Sequence, residues 1–272
     1  MRADRRVGDN PGRWRMTDRS SAAPAVVLVS VAALAFAFPG AVSAGEISIA
    51  VASNFYAAMK KIAADFEEVS GHTVSISSGS TGKLYSQIVN GAPFDIFFAA
   101  DSERPARLER EGYAIAGSRF TYAVGRLAVF SSKDGQAGDL KNLVTKGDFR
   151  KAAIANPRVA PYGRAARQAL IKWGVWKNIK PRLVFGENVS QTLHFILSGS
   201  ADIGLVALSH TKSGPAAEGG SVWIVPGSEH DPIEQQAVTI KNGAAAASEL
   251  AAYVRNGGAA AIMKEFGYIA PE

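Results

Sequence analysis

The chain has no cysteine in 272 residues. That excludes disulfides, thiolate metal sites, thiol catalysis and a lipid-modified N-terminal cysteine. Histidine is scarce as well. His72, His194, His210 and His230 are the whole set, and no two stand at metal-ligand spacing. No Gly-x-Ser-x-Gly elbow is present. A secreted α/β hydrolase would need a nucleophile with its base or a metal cluster, and the pattern offers neither. Long basic tracts are missing too. Residues 1–44 hold six Arg and three Asp of the 30 basic and 24 acidic residues, leaving 24 and 21, a net charge of about +3 against +6 for the whole. Nucleic acid is therefore not an expected partner.

What is present begins with an export pattern. Residues 22–38 carry no charge and follow Arg2, Arg5, Arg6, Arg13, Arg15 and Arg19, while Val42 and Ala44 occupy small-residue positions before Gly45. A basic head, an apolar middle and a small-residue site predict a signal segment, residues 1–44, cleaved after Ala44. Met16 would open a more ordinary signal. A membrane anchor is the alternative, but the run is short of the roughly 20 residues a span needs and contains Pro24. Without an anchor or a lipidated cysteine, the mature chain is expected free in the periplasm of a Gram-negative cell. Its 47% hydrophobic and 20% charged residues argue against disorder.

The mature segment alternates strand and helix signals. Ile47, Ile49 and Val51 alternate as a strand, and Ser53 and Asn54 sit where a helix would be capped. Phe55, Met59, Ile62, Phe66 and Val69 then mark one helical face, ending near Gly71. Val74 and Ile76 read as a second strand, residues 84–89 as a helix stopped by Asn90-Gly91, and residues 95–100 as a strand buried on both faces. This β-α-β-α-β opening favours a parallel sheet covered by helices. Further strands are expected at 127–130, 152–155, 184–185, 203–206, 222–225 and 237–240. Helices are expected near 163–173, 189–197, 244–255 and 259–266. The Gly/Pro clusters at 213–220 and 226–232 read as surface loops or a lobe crossover.

Two strand-to-helix junctions carry hydroxyls: Ala52-Ser53-Asn54-Phe55 and the run from Ser77 to Lys83, SSGSTGK. N–H groups at a helix start, with the helix dipole behind them, favour an anion. The second run is not a nucleotide P-loop, because Ser77 stands where that motif needs Gly and Leu84 where it needs Ser or Thr. Each junction taken alone reads equally as a plain capped turn. Together they would lie at one sheet edge, beyond the carboxyl ends of the strands, where open α/β sheets hold ligands. Asp95 and Asp101 flank the buried strand and read as structural capping or pairing groups.

Four segments, AVASNFYAAMKKIAADFE, SSGSTGKLYSQIVNGAPFDIFFAAD, IANPRVAPYGRAARQAL and GENVSQTLHFILSGSADIGLVALS, run in order through residues 50–209. They resemble the periplasmic molybdate-binding proteins of molybdate ABC transporters. The resemblance implies a type II periplasmic binding protein fold, two α/β lobes of mainly parallel sheet with the ligand in the cleft. It implies lobe 1 from 45–124 and 230–272, lobe 2 from 125–229, a monomer, no cofactor, and a membrane permease as partner. The implied ligand is molybdate or tungstate, with sulfate, phosphate or another small anionic solute as the alternative. Carried over by position, the implied binding residues are Ser53, Asn54, Thr81 or its neighbour Ser80, and the backbone N–H groups of Tyr162 and Val189. Some members add a tyrosine in a Gly-x-Val-Tyr segment, which here reads Gly204-Leu205-Val206-Ala207.

Overall fold

The structure is a computed structural model, and the residues it describes are 44–135 and 138–271. The expected signal segment lies outside them except for Ala44. The chain order is β1 (Glu46–Ala52), α1 (Tyr56–Ser70), β2 (Thr73–Gly79), α2 (Thr81–Val89), β3 (Ile96–Phe98), α3 (Glu103–Arg110) and β4 (Phe120–Gly125). It continues through β5 (Leu127–Ser131), α4 (Leu140–Lys146), β6 (Ala152–Ala155), α5 (Pro161–Lys172), α6 (Trp176–Ile179), β7 (Leu183–Gly186), α7 (Val189–Leu197), β8 (Ile203–Ala207), α8 (Pro215–Glu218) and β9 (Ser221–Ile224). It closes with β10 (Ile233–Thr239), α9 (Ala246–Arg255) and α10 (Ala260–Glu265).

These strands form two five-stranded sheets, ordered β2-β1-β3-β10-β4 and β7-β6-β8-β5-β9. In the first, β1 pairs parallel with β2 and β3, and β10 runs antiparallel between β3 and β4. In the second, β6 pairs parallel with β7 and β8, and β5 runs antiparallel between β8 and β9. Each sheet is thus mainly parallel with one reversed strand, and each anchors one α/β lobe. The chain crosses between the sheets at β4–β5 and returns at β9–β10.

The alternation in β1 explains why its sheet is buried on both faces. Ile47, Ile49 and Val51 pack with Phe55, Met59 and Ile62 on one side, and Ala50 packs with Leu84, Phe97 and Val238 on the other. The α1 stripe is shorter than its periodicity suggested. Phe55, Met59, Ile62 and Phe66 are buried, but Val69 is 72% exposed, one turn past the last sheet contact. Gly71 ends that helix in the left-handed region, where a side chain would be strained. Helix α5 starts with Pro161 at its first position, where the missing N–H costs nothing. The segments α3, β4, α4, α6 and α8 were not anticipated. Among the described residues no helix is long and apolar enough to cross a membrane.

Candidate functional site

The parallel strands end in turns that face one another across the two sheets. Ser53 and Asn54 follow β1, Ser80 and Thr81 follow β2, Tyr162 opens α5 after β6, and Val189 opens α7 after β7. All six line one small cavity, together with Ala52, Gly79, Ala100, Ala160, Pro161 and Asn188. Each of the six is at most 5% exposed, and no charged residue is in the lining. Four helical starts therefore point at one small polar space, and N–H groups in a first turn have no intrahelical acceptor.

The turns differ in how they are held. Ser53–Phe55 is a 3-10 turn whose N-cap is Ala52, with no capping side chain. The capping role expected for Ser53 and Asn54 is thus corrected: neither side chain accepts from an N–H at the start of the turn or of α1. The Asn54 amide donates to Gln235 Oε1 at 2.7 Å and to the Tyr268 hydroxyl at 3.1 Å. Ser80 does cap α2, its hydroxyl accepting from Lys83 N at 3.4 Å. The Thr81 hydroxyl accepts from Ala100 N at 3.1 Å, which leaves its proton to be donated elsewhere. Asn188 caps α7 by accepting from Gln191 N at 2.9 Å. The Tyr162 ring lies buried against Gln235, and burial pushes its phenol well above the usual tyrosine range. What Tyr162 can offer the cavity is its backbone N–H. Ala207 is buried at the end of β8 and does not line the cavity.

Behind the cavity, the carbonyls of the Ser53–Asn54 turn are gripped from several elements. Ser209 and Tyr268 donate to Asn54 O at 2.8 and 2.7 Å. His210 Nε2 lies 3.1 Å from Ser53 O and 3.2 Å from the Ser190 hydroxyl. Across the cleft, Gly82 N donates to Val159 O at 2.9 Å, and Lys83 pairs with Glu187 at 2.6 Å. None of Gln235, Tyr268, Ser190, Ser209 and His210 was singled out for the site beforehand. One signal was available for the first: the polar run Glu234-Gln235-Gln236 leads directly into the strand pattern at Ala237.

The two carboxylates beside β3 are engaged structurally, as expected. Asp95 accepts from Ser48 N and Ala244 N, both at 2.6 Å. Asp101 is paired with Arg104 and, at 3.0 Å, with Arg164 of α5. A larger concavity shares Ala100 and Pro161 with the cavity. Its lining brings Asp101, Glu103, Asp231 and Glu234 together with Arg164 as the one cation, so it repels an anion.

His210 gives the site a pH signature. Burial holds its imidazole below the ordinary value of 6.5, opposed in part by the Ser53 carbonyl, and Nδ1 is buried without a partner. The unfolded chain therefore binds a proton below pH 6.5 before the folded chain does. The stability involved is present above that pH and lost as pH falls through the window beneath it. Melting curves from pH 7 to pH 5 should show a smaller fall in His210→Gln than in the unmodified chain. Each kcal/mol corresponds to about 2–4 °C for a domain of this size. Parallel curves would remove His210 from the account.

Comparison with known proteins agrees with this architecture. Residues 47–269 match the family of bacterial extracellular solute-binding proteins. The chain is 46% identical over 230 residues to the molybdate-binding protein of Azotobacter vinelandii, covering 84% of this chain and 91% of that one. It is 42% identical over 238 residues to the molybdate-binding protein of Rhodobacter capsulatus, covering 87% and 92%. The solved periplasmic molybdate-binding protein of A. vinelandii superposes with a TM-score of 0.79 at 39% identity, over 83% of this chain and all of that chain. The chain belongs to the bacterial extracellular solute-binding protein family.

Proposed function

We propose that the cavity binds a tetrahedral oxyanion, molybdate and also tungstate, and that the chain is a periplasmic receptor handing it to an ABC permease. The observation that carries this reading is the convergence of Ser53, Asn54, Thr81, Tyr162 and Val189 on one buried space without a charged side chain. A dianion entering such a space loses hydration worth many kcal/mol, and only a full set of donors replaces it. Each hydrogen bond to a charged group contributes about 1.5–3 kcal/mol net. Neutral donors on rigid turns leave size to discriminate between anions, whereas an arginine in the lining would attract most of them. The cavity is small, with room for about one water-sized body between its walls, which excludes a sugar or peptide. The identities above, with relatives named as molybdate-binding proteins, favour molybdate.

In this reading the signal segment 1–44 is removed, lobe 1 comprises 45–124 and 230–272, and lobe 2 comprises 125–229. The mature protein acts as a monomer without cofactor or turnover. Thr81, at the family's spacing from Ser53, is the second hydroxyl donor in this reading; the neighbouring Ser80 hydroxyl also accepts from a backbone N–H and keeps its proton, so it is the alternative. Ligand bridging the lobes favours closure, and the closed form is what the permease engages.

The test is a melting panel of purified protein with molybdate, tungstate, sulfate and phosphate. A ligand at about one hundred times its dissociation constant stabilises by roughly 2.7 kcal/mol, a rise of about 5–11 °C here. Molybdate and tungstate should give that rise and sulfate should not. An equal shift with sulfate would make the protein a general oxyanion receptor.

A further inference from the structure

Gln235 is completely buried in β10, where an amide lacking partners would cost free energy. Both ends of it are used. Oε1 accepts from Asn54 Nδ2 at 2.7 Å and lies 3.1 Å from the Tyr122 hydroxyl, whose one proton is shared with the Ala99 carbonyl at 3.0 Å, and Nε2 donates to the Tyr162 hydroxyl at 3.4 Å. Asn54 and Tyr122 belong to the same lobe as Gln235, whereas Tyr162 belongs to the other. The two residues at the ends of this chain of bonds, Asn54 and Tyr162, both line the cavity.

Two features of the backbone make the arrangement. The pairing of β10 with β4 shifts between Gln235 and Gln236, which face Ala123 and Thr121, so Tyr122 stands without a partner between them. Bulges of this kind re-aim side chains, and here Tyr122 and Gln235 meet. Gly125, the last residue of β4 before the crossover, supplies the space. A Cβ there would collide with the Tyr162 hydroxyl and stand 2.6 Å from Gln235 Nε2.

We propose that Gln235 is a positioning residue that ties the Asn54 turn of lobe 1 to Tyr162 of lobe 2, so that closing the lobes and aligning both donor sets are one event. Separating the lobes removes the bond to Tyr162 and leaves the bonds to Asn54 and Tyr122 intact. The amide nitrogen therefore keeps its partner only when the Tyr162 N–H and the Ser53–Asn54 turn face the same anion. The inference rests on the oxyanion reading of the cavity.

The test compares the unmodified chain with Gln235→Leu and Gln235→Glu, each binding molybdate at pH 6 and pH 8.5. Ligand-free melting curves report folding, and small-angle scattering reports closure. Gln235→Leu should bind at least tenfold more weakly and compact less at saturating molybdate. Gln235→Glu is the more telling variant. Protonated, its C=O accepts from Asn54 and its O–H donates to Tyr162, as the amide does. Ionised, it sets a negative charge behind the anion. The groups that touch it are the neutral hydroxyls of Tyr122 and Tyr162; Tyr268 meets it through Asn54, and the Asp101 carboxylate acts on Tyr122. Burial and that carboxylate both raise a carboxyl's pKa. Its affinity, relative to the unmodified chain at the same pH, should fall at pH 8.5 and recover at pH 6. Affinity and closure unchanged in both variants, or a Gln235→Leu loss of affinity with compaction at saturating molybdate unchanged, would overturn the role given to Gln235. If the unmodified chain does not bind molybdate, the oxyanion reading fails and the inference falls with it.

Discussion

A chain carrying both Ser53→Ala and Thr81→Val is expected to bind molybdate about 10²- to 10⁴-fold more weakly than the unmodified protein. The estimate follows from two lost hydrogen bonds to a charged ligand at about 1.5–3 kcal/mol each, with every 1.4 kcal/mol a factor of ten. The loss is large because the cavity is small and its donors sit on buried turns, which leaves few groups free to replace a missing one. The two changes differ in their cost to the fold. Ser53 caps nothing, so its removal should leave the melting temperature nearly unmoved. Thr81→Val leaves Ala100 N without its acceptor, and an unsatisfied buried N–H costs about 1–3 kcal/mol. Titration calorimetry on both single variants, the double variant and Ser80→Ala would resolve the parts. Ser80→Ala should lower stability through the lost cap by about 1 kcal/mol and change affinity little. A Ser80→Ala loss of affinity exceeding that of Thr81→Val would move the second donor to Ser80.

Gly163→Ala should be the most damaging single methyl in the cleft. A Cβ at this position would collide with the Ala155 carbonyl oxygen and stand 2.7 Å from its carbon and 2.9 Å from the Asn156 carbon. All three atoms are backbone at the exit of β6, so no rotamer change relieves the clash and α5 must shift. Overpacking of this kind costs about 1–3 kcal/mol or more, a fall of roughly 2–12 °C in melting temperature. The shift also carries the Tyr162 N–H off its line, so molybdate affinity should fall together with stability. Gly227→Ala is the control, since nothing lies within 4 Å of a Cβ there. Equal melting temperatures for the two variants would show that α5 accommodates the methyl without moving.

How far the sequence disclosed this arrangement depended on how local each signal was. β1, α1, β2 and α7 declared themselves through uninterrupted periodicity, and the six cavity residues stand in short segments at strand ends. β4 did not. Its Phe120-Thr121-Tyr122-Ala123 run mixes polar and aromatic residues because Tyr122 serves a buried polar network in place of a plain apolar face. The highly charged α3, ERPARLER, was overlooked because only Pro105 and Leu108 of it are buried. The residues that grip the site turn could not be read locally at all. Tyr268 reaches Asn54 across 214 positions and Gln235 across 181, and nothing in the neighbourhood of either residue specifies that meeting. The sheet order creates it.

That order also constrains how the molecule can assemble. β5 to β9 come from one unbroken stretch, so their sheet is complete once residue 224 is in hand. The other sheet cannot be completed then, because β10 lies between β3 and β4, and β4's other backbone partner among the described residues, Ile269 bridged to Val124, comes later still. β4 must wait unpaired, with the open edge of β3 exposed, until residues 233–239 have been made. Contacts this distant in sequence form slowly, and bare strand edges invite mispairing in the interval. The half that holds Ser53 and Thr81 is thus the first begun and the last finished, and the time before β10 arrives is when a folding helper would matter most.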